Sequence, residues 1–320
     1  MEYNKQKFKL NEIYEKYGLF SILILISVLF GSINSNFFSL YNIQNIFKQS
    51  SINGLLAFGM TFLILLGCID LAVGSTLALV GYVTGIMIVN YNMPLYIVIP
   101  ISLIFGALLG AINGVLVSKI KLQPFIATLI TMTIYRGCTL ILSNGLPVRN
   151  INNVSPFMKY INRGEILNLP ISMIIYLLIF IVLWFILSKT VFGKHLYATG
   201  GNEEAARLST VPTIKIKMIA YSISGFLAGL AAILYVARYN SIYPNAGQGA
   251  ELDAIAAVVI GGTSMTGGKG KIVGTLIGAL IIGILNNGLN LLGVSSFYQE
   301  VIKGIVILFA VVADRKKIGL

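Results

Sequence analysis

The chain reads Tyr197-Ala-Thr-Gly-Gly-Asn-Glu-Glu-Ala-Ala-Arg-Leu-Ser-Thr-Val-Pro212 in the one long polar, charge-dense passage between its hydrophobic stretches. Asn202 is a favourable N-cap, and Glu203 and Glu204 fall in the first turn that would follow, where the helix dipole favours negative charge. Pro212 then closes the segment. The stretch predicts a short helix that lies across a membrane surface, either presented to a partner or serving as an ordinary connection.

Outside this passage the chain has the composition of a membrane protein. Hydrophobic residues make up 57% and charged residues 11% of it, and the mean hydropathy is +0.87. Because a spanning helix needs about 20 mostly apolar residues, we predict an all-α polytopic membrane protein with about ten transmembrane helices. We expect one membrane domain over 1–320, with a cytoplasmic lead-in over 1–17 and a cytoplasmic loop over 188–214. The candidate spans are 19–34, 43–66, 71–90, 94–118, 123–142, 169–187, 215–236, 252–266, 271–290 and 298–313.

The net charge of +12 reports orientation in the membrane rather than affinity for nucleic acid. If the N-terminus lies inside, 16 of the 23 Lys and Arg residues fall in inner segments and six in outer segments, with Arg136 inside a span. This asymmetry follows the positive-inside rule and predicts that both termini are cytoplasmic. The passage 197–212 then also faces the cytoplasm.

The sequence contains no residue grouping typical of catalysis, metal binding or nucleotide binding. Cys68 and Cys138 lie in or beside apolar stretches, His195 has no Cys or carboxylate cluster beside it, and no glycine-rich loop ends in Lys-Ser/Thr before a helix. We therefore expect no catalytic residue, metal site or cofactor in this chain. If the protein moves a solute with ATP, a separate ATPase chain binds the ATP and its Mg²⁺.

Polar residues interrupt several of the apolar stretches. Asp70 lies between Gly67 and Gly74, at a membrane-edge turn or a broken helix, where it would cap a helix start or line a pathway. Asn286 and Asn290 share a helix face, where amides bond between helices or line a pathway. Arg136 also lies within a span, and its partner stays unassigned. The translocation-pathway candidates are Asp70, Asn113, Asn286, Asn287 and Asn290.

Two further segments break the helical pattern. Residues 261–270 contain five glycines, which predicts a cytoplasmic turn or re-entrant segment near the first cytoplasmic loop. Residues 238–253 mix charge, aromatic rings and turn formers on the predicted outer side. This segment is suited to docking an extracytoplasmic partner, with a solvated loop as the alternative. The docking candidates are Arg238, Tyr243, Glu251 and Asp253.

The two halves of the chain also share a short pattern. Ile69-Asp70 precedes Ala72, and Leu252-Asp253 precedes Ala254, each after a glycine-bearing turn. One pair falls inside and the other outside in the predicted topology, as an inverted repeat would place them.

Several motifs recur together, in order, along nearly the whole chain, and in combination they resemble the membrane permeases of ribose-type ABC importers in the branched-chain/ribose permease family. These importers bring in monosaccharides such as ribose, xylose and galactose. The stretches that carry the resemblance are Gly67-Cys-Ile-Asp-Leu-Ala-Val-Gly-Ser75, Pro124-Phe-Ile-Ala-Thr-Leu129, Tyr135-Arg-Gly137, Gly200-Gly-Asn-Glu-Glu-Ala-Ala-Arg-Leu208, Glu251-Leu-Asp-Ala-Ile-Ala-Ala-Val-Val-Ile-Gly-Gly262 and Asn286-Asn-Gly-Leu-Asn-Leu291.

The resemblance implies a permease subunit, not an enzyme, in a bacterial plasma (inner) membrane. It implies a second permease copy or sister subunit, two cytoplasmic ATPase domains and an extracytoplasmic sugar-binding protein as partners. It also implies that the polar passage holds a coupling helix that inserts into a groove of the ATPase. The family loop usually has a glycine where this chain has Thr210, which puts the shape of the loop exit in question. The implied coupling residues are Gly201, Asn202, Glu203, Glu204, Ala205, Ala206, Arg207 and Leu208.

Two alternatives stay open. Related permeases carry nucleosides or autoinducers, so the solute could belong to those classes. An ion-driven secondary transporter acting alone would need ionisable groups at the membrane midplane, for which Asp70 and Arg136 are the candidates.

Overall fold

The computed structural model describes residues 2–318 and consists almost entirely of α-helices, as predicted; Met1 of the predicted lead-in and residues 319–320 lie outside the described part. A short 3₁₀ helix, Ser35–Phe38, connects the first two α-helices. The α-helices are α1 (Glu2–Ile33), α2 (Leu40–Leu65), α3 (Val73–Val89), α4 (Leu95–Ser118), α5 (Pro124–Ser143), α6 (Ile151–Val154), α7 (Pro156–Arg163), α8 (Ile171–Lys189), α9 (Val191–Gly201), α10 (Glu203–Leu208), α11 (Thr213–Tyr239), α12 (Ala250–Ile260), α13 (Ile272–Leu291) and α14 (Ser296–Ile318).

Five of the described helices are long and apolar enough to cross a membrane, namely α4, α5, α8, α11 and α13. Two shorter apolar helical stretches are Gly18–Ile33 and Val73–Val89. The most apolar 18-residue stretches of α11 and α13 are 67% and 72% buried inside the protein, whereas those of α4, α5 and α8 are 28% buried. Helices α11 and α13 therefore form the interior of the bundle, whereas α4, α5 and α8 expose apolar surface suited to lipid.

The centre of the bundle is α2, which packs against α8, α11, α12 and α13. It is 26 residues long but is not among the five helices that combine the length and the apolar character needed to cross a membrane. Its polar residues Asn42, Gln44, Ser50 and Ser51 are buried by the surrounding helices. Polar side chains are tolerated there because protein, not lipid, surrounds the helix. The ring of Phe58 also stacks on Tyr176 of α8, with ring centroids 4.8 Å apart.

Helices α4 and α11 approach each other backbone to backbone. Gly106 and Gly110 are four residues apart on α4, and Gly225 faces both of them from α11. A Cβ atom added at Gly110 would overlap the carbonyl oxygen of Tyr221, and one added at Gly225 would overlap that of Gly106. Small residues spaced by four allow such close helix contacts in membrane proteins.

Four two-residue strands form two antiparallel pairs that sequence analysis did not predict. In the first pair, β1 (Val148–Arg149) bonds to β4 (Ser241–Ile242); in the second, β2 (Glu165–Ile166) bonds to β3 (Leu169–Pro170). We call the end of the bundle that carries these strands the sheet end. The opposite end carries α9 and α10, and we call it the α10 end. The 27-residue helix α11 separates the two ends by about 40 Å.

Some predicted boundaries were wrong. The predicted span 252–266 is the 11-residue helix α12, because the chain turns at Gly261 and at Gly262, which has a positive φ of 82°. The predicted span 19–34 belongs to a longer helix, α1, that includes most of the predicted lead-in.

Replacing Gly110 with alanine should lower stability by about 1–3 kcal/mol, because the added methyl group cannot fit against the α11 backbone. The measurement is thermal unfolding of the purified protein in detergent. Gly137 on α5 is the matched control, because a Cβ there meets no atom within 4 Å. Gly137→Ala should leave stability unchanged or raise it by up to about 1 kcal/mol. Equal destabilisation by both changes would contradict the close contact.

Candidate functional site

The first interruption in the bundle lies between α2 and α3. The chain leaves α2 through Gly67, which has a φ of +69°, and α3 begins at Val73. Asp70 is only 2% exposed, and its carboxylate accepts hydrogen bonds from the N–H of Ala72 (2.9 Å) and from Nδ2 of Asn113 on α4 (3.3 Å). Asp70 therefore fixes the main chain just ahead of α3, although the N-cap position itself belongs to Ala72.

The main-chain carbonyl of Ile69, next to Asp70, is also bound. It accepts hydrogen bonds from the hydroxyl groups of Tyr221 on α11 (3.3 Å) and Thr128 on α5 (3.4 Å). A carbonyl freed by a helix break inside a membrane protein is costly unless such donors reach it. The break is therefore supported from three neighbouring helices.

The second interruption lies between α11 and α12. The chain leaves α11 at Asn240, which is left-handed, pairs briefly through β4 and turns inward before α12. Nη1 of Arg136 donates to the carbonyl oxygens of Pro244 (2.9 Å) and Ala246 (2.8 Å). The partner of Arg136, which the sequence left unassigned, is thus the main chain of this interruption.

A second buried carboxylate, that of Asp253 on α12, forms hydrogen bonds with two other helices. Asp253 is 6% exposed, and its Oδ2 atom accepts hydrogen bonds from Nδ2 of Asn286 on α13 (3.0 Å) and from Nζ of Lys303 on α14 (3.1 Å). Among the described residues, no donor reaches the buried Oδ1 atoms of Asn286 and Asn287. The Asp253 cluster joins three helices and leaves the amide oxygen of Asn286 without a donor from the described residues.

The two interruptions meet inside the bundle. A Cβ atom added at Gly74 would overlap the carbonyl oxygen of Gly247, and one added at Gly247 would lie 2.7 Å from the carbonyl oxygen of Gly74. From this contact α3 runs towards the sheet end, where Gly85 lies against Val148, and α12 runs towards the α10 end. Two helix N-termini, the positive ends of their dipoles, therefore start from neighbouring points in the interior.

The polar passage forms two helices rather than the single predicted one, because Gly200 and Gly201 complete the last turn of α9. Asn202 ends α9 and caps α10, where its Oδ1 atom accepts a hydrogen bond from the N–H of Ala205 (2.9 Å). Oε2 of Glu203 pairs with Nζ of Lys217 on α11 at 2.6 Å. In α10 the residues are exposed except Ala206, which is buried and anchors the helix; the exposed ones are Glu203, Glu204, Ala205, Arg207 and Leu208.

Three glycine-bearing segments pack against one another beneath α9 and α10. A Cβ atom at Gly200 would overlap the carbonyl oxygen of Leu65, the last residue of α2, and the N–H of Gly268 donates to that same oxygen at 2.8 Å. Gly67 lies against Thr266. The glycine-rich segment 261–270 thus lies beside the first interruption, where sequence analysis placed it.

The exit from α10 is a left-handed turn at Thr210, with a φ of +65°. The N–H of Val211 then donates to the carbonyl oxygen of Ala206 at 3.0 Å. A left-handed conformation favours glycine and costs a β-branched residue about 1–2 kcal/mol. Thr210 therefore has a strained left-handed backbone conformation that glycine would adopt without strain.

The predicted pathway residues fall into separate clusters. Asp70 and Asn113 bond to each other, and Asn286 bonds to Asp253 on α12. Asn290 is exposed and accepts a hydrogen bond from Nε2 of Gln299 on α14 at 2.8 Å. Their lining of a pathway stays a prediction, because the buried members face other helices of the same chain.

The predicted docking residues also differ in exposure. Tyr243 is 44% exposed at the sheet end, whereas Asp253 faces the interior. The carboxylate of Glu251 lies close to Gly74 and accepts a hydrogen bond from the N–H of Gly249 at 3.3 Å. Arg238 lies over the ring of Tyr239, 5.3 Å from its centroid. A docking role stays a prediction, and the exposure of Tyr243 fits it best.

Sequence analysis missed the residues that support these clusters from a distance, such as Tyr221, Thr128 and Lys303. The first two look like ordinary members of apolar helices, and only their contacts give them a role. Lys303 offered one signal, a lone cation between apolar neighbours near the start of the last predicted span. Such a charge needs a partner, but the sequence does not say which carboxylate lies beside it.

The fold and this interior site define a polytopic helical membrane protein with two interrupted helices. Residues 42–311 match the family model described as the branched-chain amino acid transport system / permease component. The chain is 50% identical over 300 residues to the ribose import permease protein RbsC of Bacillus subtilis (strain 168), covering 94% of this chain and 91% of that protein. The chain belongs to this family of permease components.

Relatives named for other sugars also align over nearly the whole chain. The D-allose transport system permease protein AlsC of Escherichia coli (strain K12) is 40% identical, with 97% of this chain and 95% of that protein covered. The L-arabinose transport system permease protein AraH of the same strain is 36% identical, with coverage of 98% and 94%. No solved structure matches the chain.

Replacing Arg136 with glutamine should lower stability by about 2–4 kcal/mol, because the carbonyl groups of Pro244 and Ala246 lose a charged donor while they stay in the interior. The readout is the unfolding temperature in detergent. Arg149→Gln is the matched control, because Arg149 is exposed on β1 and should cost less than about 0.5 kcal/mol. A neutral effect of Arg136→Gln would mean that Arg136 does not hold the interruption in place.

Replacing Thr210 with glycine should raise stability by up to about 1 kcal/mol, since glycine adopts the left-handed conformation without strain. Thr133→Gly, at an exposed position inside α5, should lower stability by about 1 kcal/mol. Comparing the unfolding curves of both variants with that of the wild type tests whether the first change raises stability and the second lowers it. A loss of stability in Thr210→Gly would show that the threonine side chain contributes more than its backbone strain costs.

Proposed function

We propose that this chain is the transmembrane permease subunit of an ABC importer for a monosaccharide. The observation that carries the proposal is the alignment of nearly the whole chain with permeases named for ribose, D-allose and L-arabinose. All three solutes are monosaccharides, and the ribose permease has the highest identity of the three relatives. Nucleosides and autoinducers remain the competing solute classes, so uptake must be tested directly.

The proposed topology has ten crossings, formed by α1, α2, α3, α4, α5, α8, α11, α12, α13 and α14. The bias of Lys and Arg supports a cytoplasmic position of the α10 end and of both termini in a bacterial cell. Helices α3 and α12 are only 17 and 11 residues long, and each continues an interruption rather than crossing alone. Opposite directions of α3 and α12 support an inverted repeat of the kind found in transporters.

The proposed coupling site is α10 with its flanking residues, Gly201–Leu208. An exposed helix with two carboxylates in its first turn offers a charged, convex surface to a cytoplasmic ATPase, which binds the ATP and Mg²⁺. Lys217 fixes its direction through Glu203, and the buried Ala206 anchors it. The small side chain of Ala205, which is exposed, lets a partner approach the helix closely.

The contacts beneath α10 supply a route for the coupling. Gly200 contacts the carboxyl end of α2, where the first interruption begins. The N–H of Gly268 donates a hydrogen bond to the same end of α2. The hydroxyl group of Tyr197 on α9 also donates to the carbonyl oxygen of Gly270 at 2.9 Å. Because the glycine contacts are between backbones, a displacement of α9 and α10 reaches both α2 and the segment that joins α12 to α13. The interior polar clusters would then change their spacing and open or close the solute pathway.

The proposal requires partners. An extracytoplasmic sugar-binding protein supplies affinity and selects the sugar, and it docks at the sheet end, where Tyr243 is exposed. A second permease copy or a sister subunit completes the pathway. The exposed apolar faces of α4, α5 and α8 are available for lipid and for this second subunit. No nucleic acid is involved.

Reversing the charge of α10 should uncouple the transporter. In a complex reconstituted with its ATPase and binding protein, Glu204→Lys should reduce sugar-stimulated ATP hydrolysis and uptake at least about tenfold, equivalent to about 1.4 kcal/mol of docking energy. Glu204→Lys leaves the Glu203–Lys217 ion pair intact, so it separates docking from local folding. The double change at Glu203 and Glu204 should act more strongly.

Glu300→Lys is the matched control, because Glu300 is exposed on α14 and outside the polar passage. It should leave uptake near the wild-type level. Normal stimulation and uptake in both α10 variants would contradict the coupling site. Uptake by the chain alone, driven by an ion gradient, would contradict the ABC importer itself.

A further inference from the structure

A small cavity at the sheet end, lined by both charged and apolar side chains, has no role in the proposed transport function. It has a volume of about 10 Å³ and lies between α2, α7, α8 and α11. Its walls include Lys48, Ser172 and Arg238, together with the apolar side chains of Ile52, Ile161 and Leu234. The two cations come from different helices, α2 and α11, and approach the same space.

The cavity contains donors that have no acceptor. Nη1 of Arg238 is buried and has no hydrogen-bond partner among the described residues. Ser172 is 6% exposed, and its hydroxyl oxygen is also buried without a partner from this part of the chain. A buried charged donor left without an acceptor is strongly unfavourable, so an acceptor is expected in this space.

The charge around the cavity is positive. Arg238 and Arg163 lie within electrostatic range of Lys48, and so does one carboxylate, that of Glu165. Glu165 and Arg163 are exposed, whereas Lys48 and Arg238 are partly buried. The two cations that line the cavity therefore carry positive charge into it without a buried carboxylate to balance them.

The first turn of α8 adds to this preference. Ser172 is the second residue of α8, a helix of 19 residues whose N-terminal N–H groups form the positive end of its dipole. A helix N-terminus alone would not make a binding site. Here it coincides with two cations and an unpartnered hydroxyl group around one small space.

We propose that this cavity binds a single chloride ion between Lys48, Ser172 and Arg238. Its small volume favours a monatomic anion over phosphate or the carboxylate arm of a docking protein. Chloride accepts bonds from all three donors and neutralises the excess charge. The bound ion would tie α2, α8 and α11 together at the sheet end.

The test is the unfolding temperature of the purified full-length permease in sodium chloride and in sodium gluconate at equal ionic strength. Gluconate is too large for the cavity. We expect chloride to raise the unfolding temperature by about 3 °C or more, saturating with chloride concentration. Bromide should replace chloride, and its anomalous X-ray scattering should give one peak between Lys48 and Arg238.

Arg238→Gln should abolish the difference between the two salts. Ser172→Ala removes only one hydroxyl donor and should shift the chloride dependence to higher concentration, which keeps the test available if Arg238→Gln does not fold. Lys159→Gln is the matched control, because Lys159 is exposed on α7 and outside the cavity walls, and it should keep the full chloride effect. Equal unfolding temperatures of the wild type in the two salts, or a bromide map without the peak, would mean that the cavity holds only water and would overturn the proposal.

Discussion

Main-chain polar groups in the interior of this bundle must be bonded where two helices are interrupted, and much of the structure serves that requirement. Lipid offers no hydrogen bonds, so each carbonyl or N–H group released by a break needs a donor or an acceptor from the protein. Tyr221 and Thr128 supply donors to Ile69, Asp70 accepts from Ala72, and Arg136 supplies donors to the second break. Polar residues in apolar helices are thus explained first as supports for the main chain.

The same requirement explains where glycine is concentrated. Interrupted segments can exchange hydrogen bonds only if their backbones approach closely, and a side chain at Gly74, Gly200 or Gly247 would prevent this. The close contact of α4 with α11 at Gly110 follows the same rule between intact helices. A bundle joined through backbones moves as a few rigid pieces, because main-chain contacts cannot adjust by changing a rotamer. Such rigidity suits a protein proposed to convert the movement of a short surface helix into a change in its interior.

The two ends of the bundle differ in a way that fits two kinds of partner. At the α10 end, the short helix presents exposed carboxylates on a base of glycine contacts. At the sheet end, small strands and the helices α6 and α7 form an ordered cap in which cations surround the proposed chloride site. Charge is therefore exposed at one end and partly buried between helices at the other. At the α10 end Glu203 pairs with Lys217, and at the sheet end Lys48 and Arg238 line the cavity that we propose to hold an ion.

The sequence alone predicted the class of protein, the approximate position of most long helices, the N-cap at Asn202 and the proximity of the glycine-rich segment to the first interruption. These features depend on hydropathy and on local backbone preferences, which are encoded in neighbouring residues. Only the tertiary structure showed that Arg136 bonds to Pro244 and Ala246, that Asp253 joins Asn286 and Lys303, and that Lys48 and Arg238 share a cavity. Each of these contacts joins residues far apart in the chain, and hydropathy cannot select one distant partner among several.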